Sequence, residues 1–300
     1  MPKIAVEGLE LEYESLGDPQ APAILLIMGL GMQLVAWPDR FCEGLVARGL
    51  RVVRFDNRDI GLSTQLDHLG MPNIGKQAVR YFLRLPMRSP YYIEDMARDA
   101  QGLLDGLGIR RAHVMGASMG GMIAQNLAAR APDRVASLIS LMSTTGSRAL
   151  PGPRLRATRV MLLPPPPEGD VQAAARRLMQ LFRAIGSRTY PAAEAYLREW
   201  CERHARRAYH PPGAARQLVA TVASGDRTAV VRRIRAPTLV LHGDEDPLLR
   251  PACAEATAKA VRDGGGSAEL AFIHGMGHDF PVEVMPELVD RVATFCARHA

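Results

Sequence analysis

Gly116-Ala-Ser118-Met-Gly120-Gly121 lies where a short apolar run, Ala112 to Gly116, gives way to helical spacing over 119–130. A strand that turns straight into a helix needs a very tight bend. Glycine on either side of the central residue removes the side chains that would collide there. The serine hydroxyl then stands alone above the end of the strand, beside a helix N-terminus. The helix dipole and the free amide of Met119 favour negative charge developing at that point. G-x-S-x-G by itself turns up by chance in glycine-containing chains. Its position at a strand-to-helix junction, in the third strand–helix unit after an opening hairpin, makes Ser118 the candidate nucleophile.

The rest of the chain supports that placement. Residues 3–16 alternate through Ile4, Val6, Leu9, Leu11 and Tyr13 with Gly8 between, the pattern of a β-hairpin. Ala23–Met28 is wholly apolar, as expected of a strand buried on both faces. Further strands are predicted at 51–55, 112–116, 135–142, 237–242 and 268–273, and helices at 37–48, 93–107, 119–130, 252–262 and 283–297. Such βαβ alternation predicts an α/β fold: a mostly parallel sheet flanked by helices. The alternation stops near Ser143. Six prolines between Leu150 and Asp170 read as a stiff extended connector, followed by helices at 171–185 and 191–208. The expected organisation is therefore a core of residues 1–143 and 236–300, split by a mostly helical insertion at 144–235.

A hydroxyl nucleophile needs a base, and the base needs an orienting carboxylate. With this kind of elbow the chain order is serine, then acid, then histidine. The loop after the strand at 237–242 offers Asp244, Glu245 and Asp246. The next strand ends in Ile273-His274-Gly-Met-Gly277-His278, so His274, His278 and the strand-end His242 compete as base. Asp246 is preferred because Pro247 fixes the chain directly after it, whereas Asp244 suits a turn residue bonded to local backbone. His278 is preferred because Gly275 and Gly277 let its loop fold over the elbow. The second oxyanion donor is expected in Met28-Gly29-Leu30-Gly31-Met32, where the Leu30 amide would partner that of Met119. Leu30, Met32, Trp37 and Met119 would make the mouth apolar, with Met32 and Trp37 the candidate substrate contacts. That lining suits an ester or lactone with a hydrophobic body.

These residues together resemble the α/β-hydrolase superfamily over nearly the whole chain. Ile27-Met-Gly-Leu-Gly-Met and Phe55-Asp-Asn-Arg-Asp-Ile-Gly-Leu-Ser63 are similar to the branch that contains aclacinomycin methylesterase and related small-ester hydrolases. The resemblance implies an eight-stranded sheet, a helical cap over the site, no cofactor, and carboxylic ester hydrolysis. Two positions depart from the superfamily pattern. Met28 stands where a histidine is usual, and Asp59 where the phrase after the second long strand usually has glycine. The same triad could serve perhydrolysis or halogenation, thioester hydrolysis, acyl transfer or C–C bond hydrolysis, and a hydrolase fold can also serve as a ligand-binding receptor. Serine at position 118 argues against the carboxylate-nucleophile chemistry of haloalkane dehalogenases and epoxide hydrolases.

Composition narrows the partners. Net charge is +6, and of the 37 basic residues only Lys3, Lys76 and Lys259 are lysines. Residues 151–235 hold 16 arginines against six acids, so the positive charge belongs to the insertion and the remainder is slightly acidic. There is no nucleic-acid recognition motif or aromatic platform, so a small-molecule ester is expected as partner and no nucleic acid. The four cysteines lack the spacing of a zinc site, so no metal is expected. The longest uncharged stretch, Ala21–Pro38, is broken by proline and glycine, and no membrane partner is expected. The N-terminal residues lack the order of a signal peptide, which points to a cytoplasmic, reduced protein.

Overall fold

The computed structural model describes all 300 residues. Eight strands form one sheet: β1 (Lys3–Val6), β2 (Leu9–Leu16), β3 (Ala23–Ile27), β4 (Arg51–Phe55), β5 (Ala112–Ala117), β6 (Val135–Leu141), β7 (Thr238–Gly243) and β8 (Ala268–Ile273). Their order across the sheet is β1-β2-β4-β3-β5-β6-β7-β8. β1 pairs antiparallel with β2, and β2 with β4; every other pairing is parallel. Eleven helices accompany them: α1 (Asp39–Val46), α2 (Ile74–Phe82), α3 (Ile93–Gly106), α4 (Met119–Arg130), α5 (Leu155–Met161), α6 (Val171–Ile185), α7 (Glu194–Arg207), α8 (Pro211–Ala223), α9 (Thr228–Val231), α10 (Ala252–Asp263) and α11 (Met285–Ala297).

The all-apolar strands follow from burial on both faces. In β3, Leu25 and Ile27 join a core cluster with α3 and α4, while Ile24 and Leu26 join a second cluster with α1 and α11. The two-residue period of a strand thus divides one sequence between two cores. Burying each such side chain contributes about 1.5–3 kcal/mol. All four cysteines are buried and free. No helix is long and apolar enough to cross a membrane.

Between β6 and β7 the chain leaves the sheet for α5 to α9. Here the structure corrects the sequence reading. The proline-rich stretch at 150–170 is not wholly extended, because α5 makes two turns between Pro153 and Pro164. Helix α8 was hidden by Pro211-Pro-Gly213, which reads as a loop but puts proline in the first turn, where no amide is needed. Helix α2, after β4, is also additional to the expected set. α6 and α7 share a small core of their own built on Ala174, Met179, Leu197 and Cys201.

The parallel strands carry the site at their C-terminal ends, where open α/β sheets leave room above the strands. The loop of Gly29 follows β3, Asp56–Ser63 follows β4, Ser118 follows β5, Asp246 follows β7 and His278 follows β8.

Candidate active site

Ser118 caps α4 with φ 57° and ψ −120°, a conformation that a residue with a β-carbon adopts only when its surroundings enforce it. The enforcing contacts are close. A β-carbon on Gly116 would lie 2.0 Å from the Gly120 carbonyl oxygen, and one on Gly120 would lie 2.0 Å from that of Ile27. Both glycines are therefore steric necessities. The Ser118 amide donates to the Leu141 carbonyl at 3.0 Å, and the Ser143 hydroxyl donates to the Ser118 carbonyl at 2.7 Å. The turn is pinned from β6 while the Ser118 side chain stays partly accessible.

Three sequence-predicted residues come together here. Ser118 Oγ lies 3.0 Å from His278 Nε2, and His278 Nδ1 lies 2.7 Å from Asp246 Oδ2. Asp246 Oδ1 accepts the amides of Leu248 at 2.8 Å and Leu249 at 2.9 Å. Burial disfavours its charge, but His278 and the hydrogen bonds from His242 and His278 outweigh that and hold the carboxyl below the ordinary carboxylate range. An ionised carboxylate only accepts, so Nδ1 of His278 carries the proton and Nε2 is free to accept one from Ser118.

The rival candidates sit elsewhere. His274 is 86% exposed and pairs with Asp244 at 3.0 Å. Asp244 also accepts the Gly275 amide at 2.7 Å, so it bonds backbone as expected but in the loop after β8 rather than in its own turn. Glu245 binds the amides of Arg188 and Thr189, tying the acid's loop to the segment after α6. His242 lies wholly buried behind the site, with Nε2 2.7 Å from the Leu249 carbonyl oxygen and 3.4 Å from Asp246 Oδ2.

The loop after β3 runs beside the serine: a β-carbon on Gly29 would lie 3.1 Å from Ser118 Cβ. The Leu30 amide makes no hydrogen bond within the protein. Met119 is the first residue of α4, where amides have no intrahelical acceptor. Leu30 and Met32 are half-buried, and Met119 is buried. Trp37 departs from the expectation that it lines the mouth. It is completely buried, stacked on Phe41 at 5.7 Å and against Phe280 at 5.3 Å. Its apolar surface is consumed by the core that holds α1 and α11.

Sequence reasoning missed the residues that hold this loop. Asn57 Nδ2 donates to the Met28 carbonyl at 2.9 Å, a polar anchor in a loop whose Met28 side chain supplies none. Gln217 of α8 accepts the Gly31 amide at 2.9 Å and donates to the Arg58 carbonyl at 2.8 Å. Arg216, beside it, forms a two-pronged ion pair with Asp59 at 2.7 and 2.9 Å, both side chains buried. Asp59 has φ 70°, the left-handed conformation for which the usual glycine is suited. Burial opposes its charge, but Arg216, the Leu66 amide and the Tyr91 hydroxyl outweigh that and lower its pKa. The unusual acid at position 59 was the one local signal of a missing basic partner.

The loop of His278 hangs on the same excursion. Its amide donates to the Ile185 carbonyl, the last of α6, at 2.9 Å. Ser187 donates its hydroxyl to Asp279 at 2.6 Å and accepts the Gly277 amide at 2.7 Å.

The sequence profile of the α/β hydrolase fold matches residues 22–283. The chain belongs to the α/β hydrolase fold family. Among curated members it is 30% identical to the rhodomycin D methylesterase of Streptomyces peucetius, covering 98% of this chain and 96% of that one. It is 28% identical to the rhodomycin D methylesterase of Streptomyces sp. (strain C5) over the same shares. These likenesses agree with the methylesterase branch that the loop phrases resemble. Among solved structures, the enol-lactonase from Burkholderia xenovorans LB400 superposes with a TM-score of 0.72 at 23% identity, covering 99% of this chain and 100% of that one. That likeness speaks for the hydrolase fold.

Proposed function

We propose that this α/β hydrolase is a serine carboxylic ester hydrolase acting on a small, largely apolar ester or lactone. The observation that carries the reading is the continuous line from Ser118 Oγ through His278 to Asp246, at 3.0 and 2.7 Å. Likeness to two methylesterases over nearly the whole chain favours an ester of a small alcohol. Residues 144–235 serve as a cap over the site.

In the proposed reaction His278 Nε2 takes the Ser118 proton as Oγ attacks the ester carbonyl. Asp246 holds the imidazole and stabilises its charged form. The amides of Leu30 and Met119 receive the oxyanion. His278 then protonates the departing alkoxide, and water deprotonated by the same nitrogen attacks the acyl-enzyme, releasing the acid and regenerating Ser118.

The test is hydrolysis of p-nitrophenyl acetate and butyrate, with labelling by a serine-directed fluorophosphonate. Ser118→Ala is expected to lower kcat on the order of 10^6-fold and to abolish labelling. Specific hydrolysis surviving in that variant would overturn the assignment.

A further inference from the structure

Two surface segments outside the site turn apolar side chains to solvent. Helix α2 has no buried side chain at all. At helical spacing, Ile74, Ala78, Val79, Tyr81 and Phe82 share one side, with Lys76, Gln77 and Arg80 opposite. A surface helix ordinarily turns its apolar side inward. Here Val79 is 57% and Phe82 80% exposed. Leu162, just beyond α5, is 77% exposed, and Leu155 is exposed beside it. The loop ahead of α5 reaches α2, where the Arg148 guanidinium lies 4.3 Å from the centre of the Tyr81 ring.

The charged residues within these two stretches of chain have one sign. Between Asp67 and Glu94 the chain carries Lys76, Arg80, Arg84 and Arg88 and no acid. Between Ser143 and Glu168 it carries Arg148, Arg154, Arg156 and Arg159, again with no acid. We propose that this surface is a peripheral docking site for membranes containing anionic phospholipid. Exposed aromatic and leucine side chains fit the boundary between headgroups and acyl chains, and arginine and lysine beside them fit anionic headgroups. A second copy of the chain is the poorer occupant, since two such faces would set like charges against each other. The proposal departs from the sequence expectation of no membrane partner. That expectation rested on the lack of a spanning stretch, which peripheral binding does not require.

Flotation of the full-length protein with vesicles decides it, using phosphatidylcholine alone and phosphatidylcholine mixed with an equal amount of phosphatidylglycerol. Binding to the mixed vesicles at low salt, and not to phosphatidylcholine alone, is the expected result. The pairs Phe82→Ser with Leu83→Ser, and Lys76→Glu with Arg80→Glu, should each lower the partition coefficient on the order of tenfold or more. Because α2 buries no side chain, both variants should keep the parent melting temperature and its p-nitrophenyl butyrate hydrolysis without vesicles. The proposal is overturned by no flotation with anionic vesicles, by flotation unchanged in both variants, or by a dimer in sedimentation velocity that Phe82→Ser dissolves while vesicles stay unbound. Binding to polyglutamate but not to vesicles also overturns it, in favour of an acidic polypeptide. The assay reads lipid rather than turnover, so it succeeds or fails independently of the esterase reading.

Discussion

Ser118 occupies a backbone state that costs a residue with a β-carbon about 1–3 kcal/mol, and Asp59 occupies another of the same sign. The two are held differently. Around Ser118, glycines clear the space and β6 supplies hydrogen bonds; around Asp59, the carboxylate itself is gripped by Arg216, Tyr91 and the Leu66 amide. Asp246 resembles Asp59 in carrying a depressed pKa, with a consequence for pH dependence. A carboxyl depressed in the folded state binds its proton more readily when unfolded. Its stabilisation is therefore complete above the ordinary carboxylate value, about pH 4, and is lost as pH falls through the folded value. Melting temperatures of the parent chain should fall as pH drops below about 4 and go on falling toward the depressed folded value. Asp246→Asn should melt lower at neutral pH and show a shallower fall; an equal slope would remove Asp246 as a source of that dependence. Ser118, Asp246 and His278 were legible in the sequence because each follows a strand whose apolar run announces it. Arg216 and Gln217 were not, since their partners are 157 and 186 residues away and no local pattern records such a contact.

Helix α8 is one of the elements that the hairpin and βαβ units did not announce, yet it steadies the loop beside the serine. Its two side chains make separable predictions. Arg216→Met leaves Asp59 charged and unpaired in a dry site, which should cost about 3–5 kcal/mol in denaturant unfolding. Adding Asp59→Gly removes that charge and restores the residue suited to the left-handed turn, so most of the loss should return. No recovery in the double variant would mean that the remaining Arg216 bonds, to the Gly70 carbonyl and Asp67, dominate. Gln217→Leu takes away the acceptor for the Gly31 amide, one residue from the proposed oxyanion donor. Its kcat on p-nitrophenyl butyrate should fall roughly ten- to a hundredfold while KM changes little. A rise in KM at unchanged kcat would instead make Gln217 a substrate contact. Strands were easy to read because their period-2 burial is local. Helices α5 and α8 were masked by prolines whose place in a first or flanking turn depends on what the helix packs against.

Taken whole, the molecule is a slightly acidic core carrying a basic insertion, and part of that asymmetry is used at the joint between them. Arg207 reaches from α7 to Asp56, and Arg216 from α8 to Asp59. Glu245, Asp279 and the His278 amide make further bonds back to the segment around Ile185–Thr189. Other insertion arginines are satisfied within it, as Arg183 by Glu194 and Arg206 by Glu202. So many cross-connections predict one cooperative unfolding transition in calorimetry. Two resolved transitions, one of them unaltered by Arg216→Met, would show that the insertion melts independently.

The amide of the proposed base is held by the final carbonyl of α6. Together with the Ser187 bonds to Asp279 and the Gly277 amide, it makes the end of α6 and the loop of His278 one mechanical unit, so a displacement of either is carried to the other.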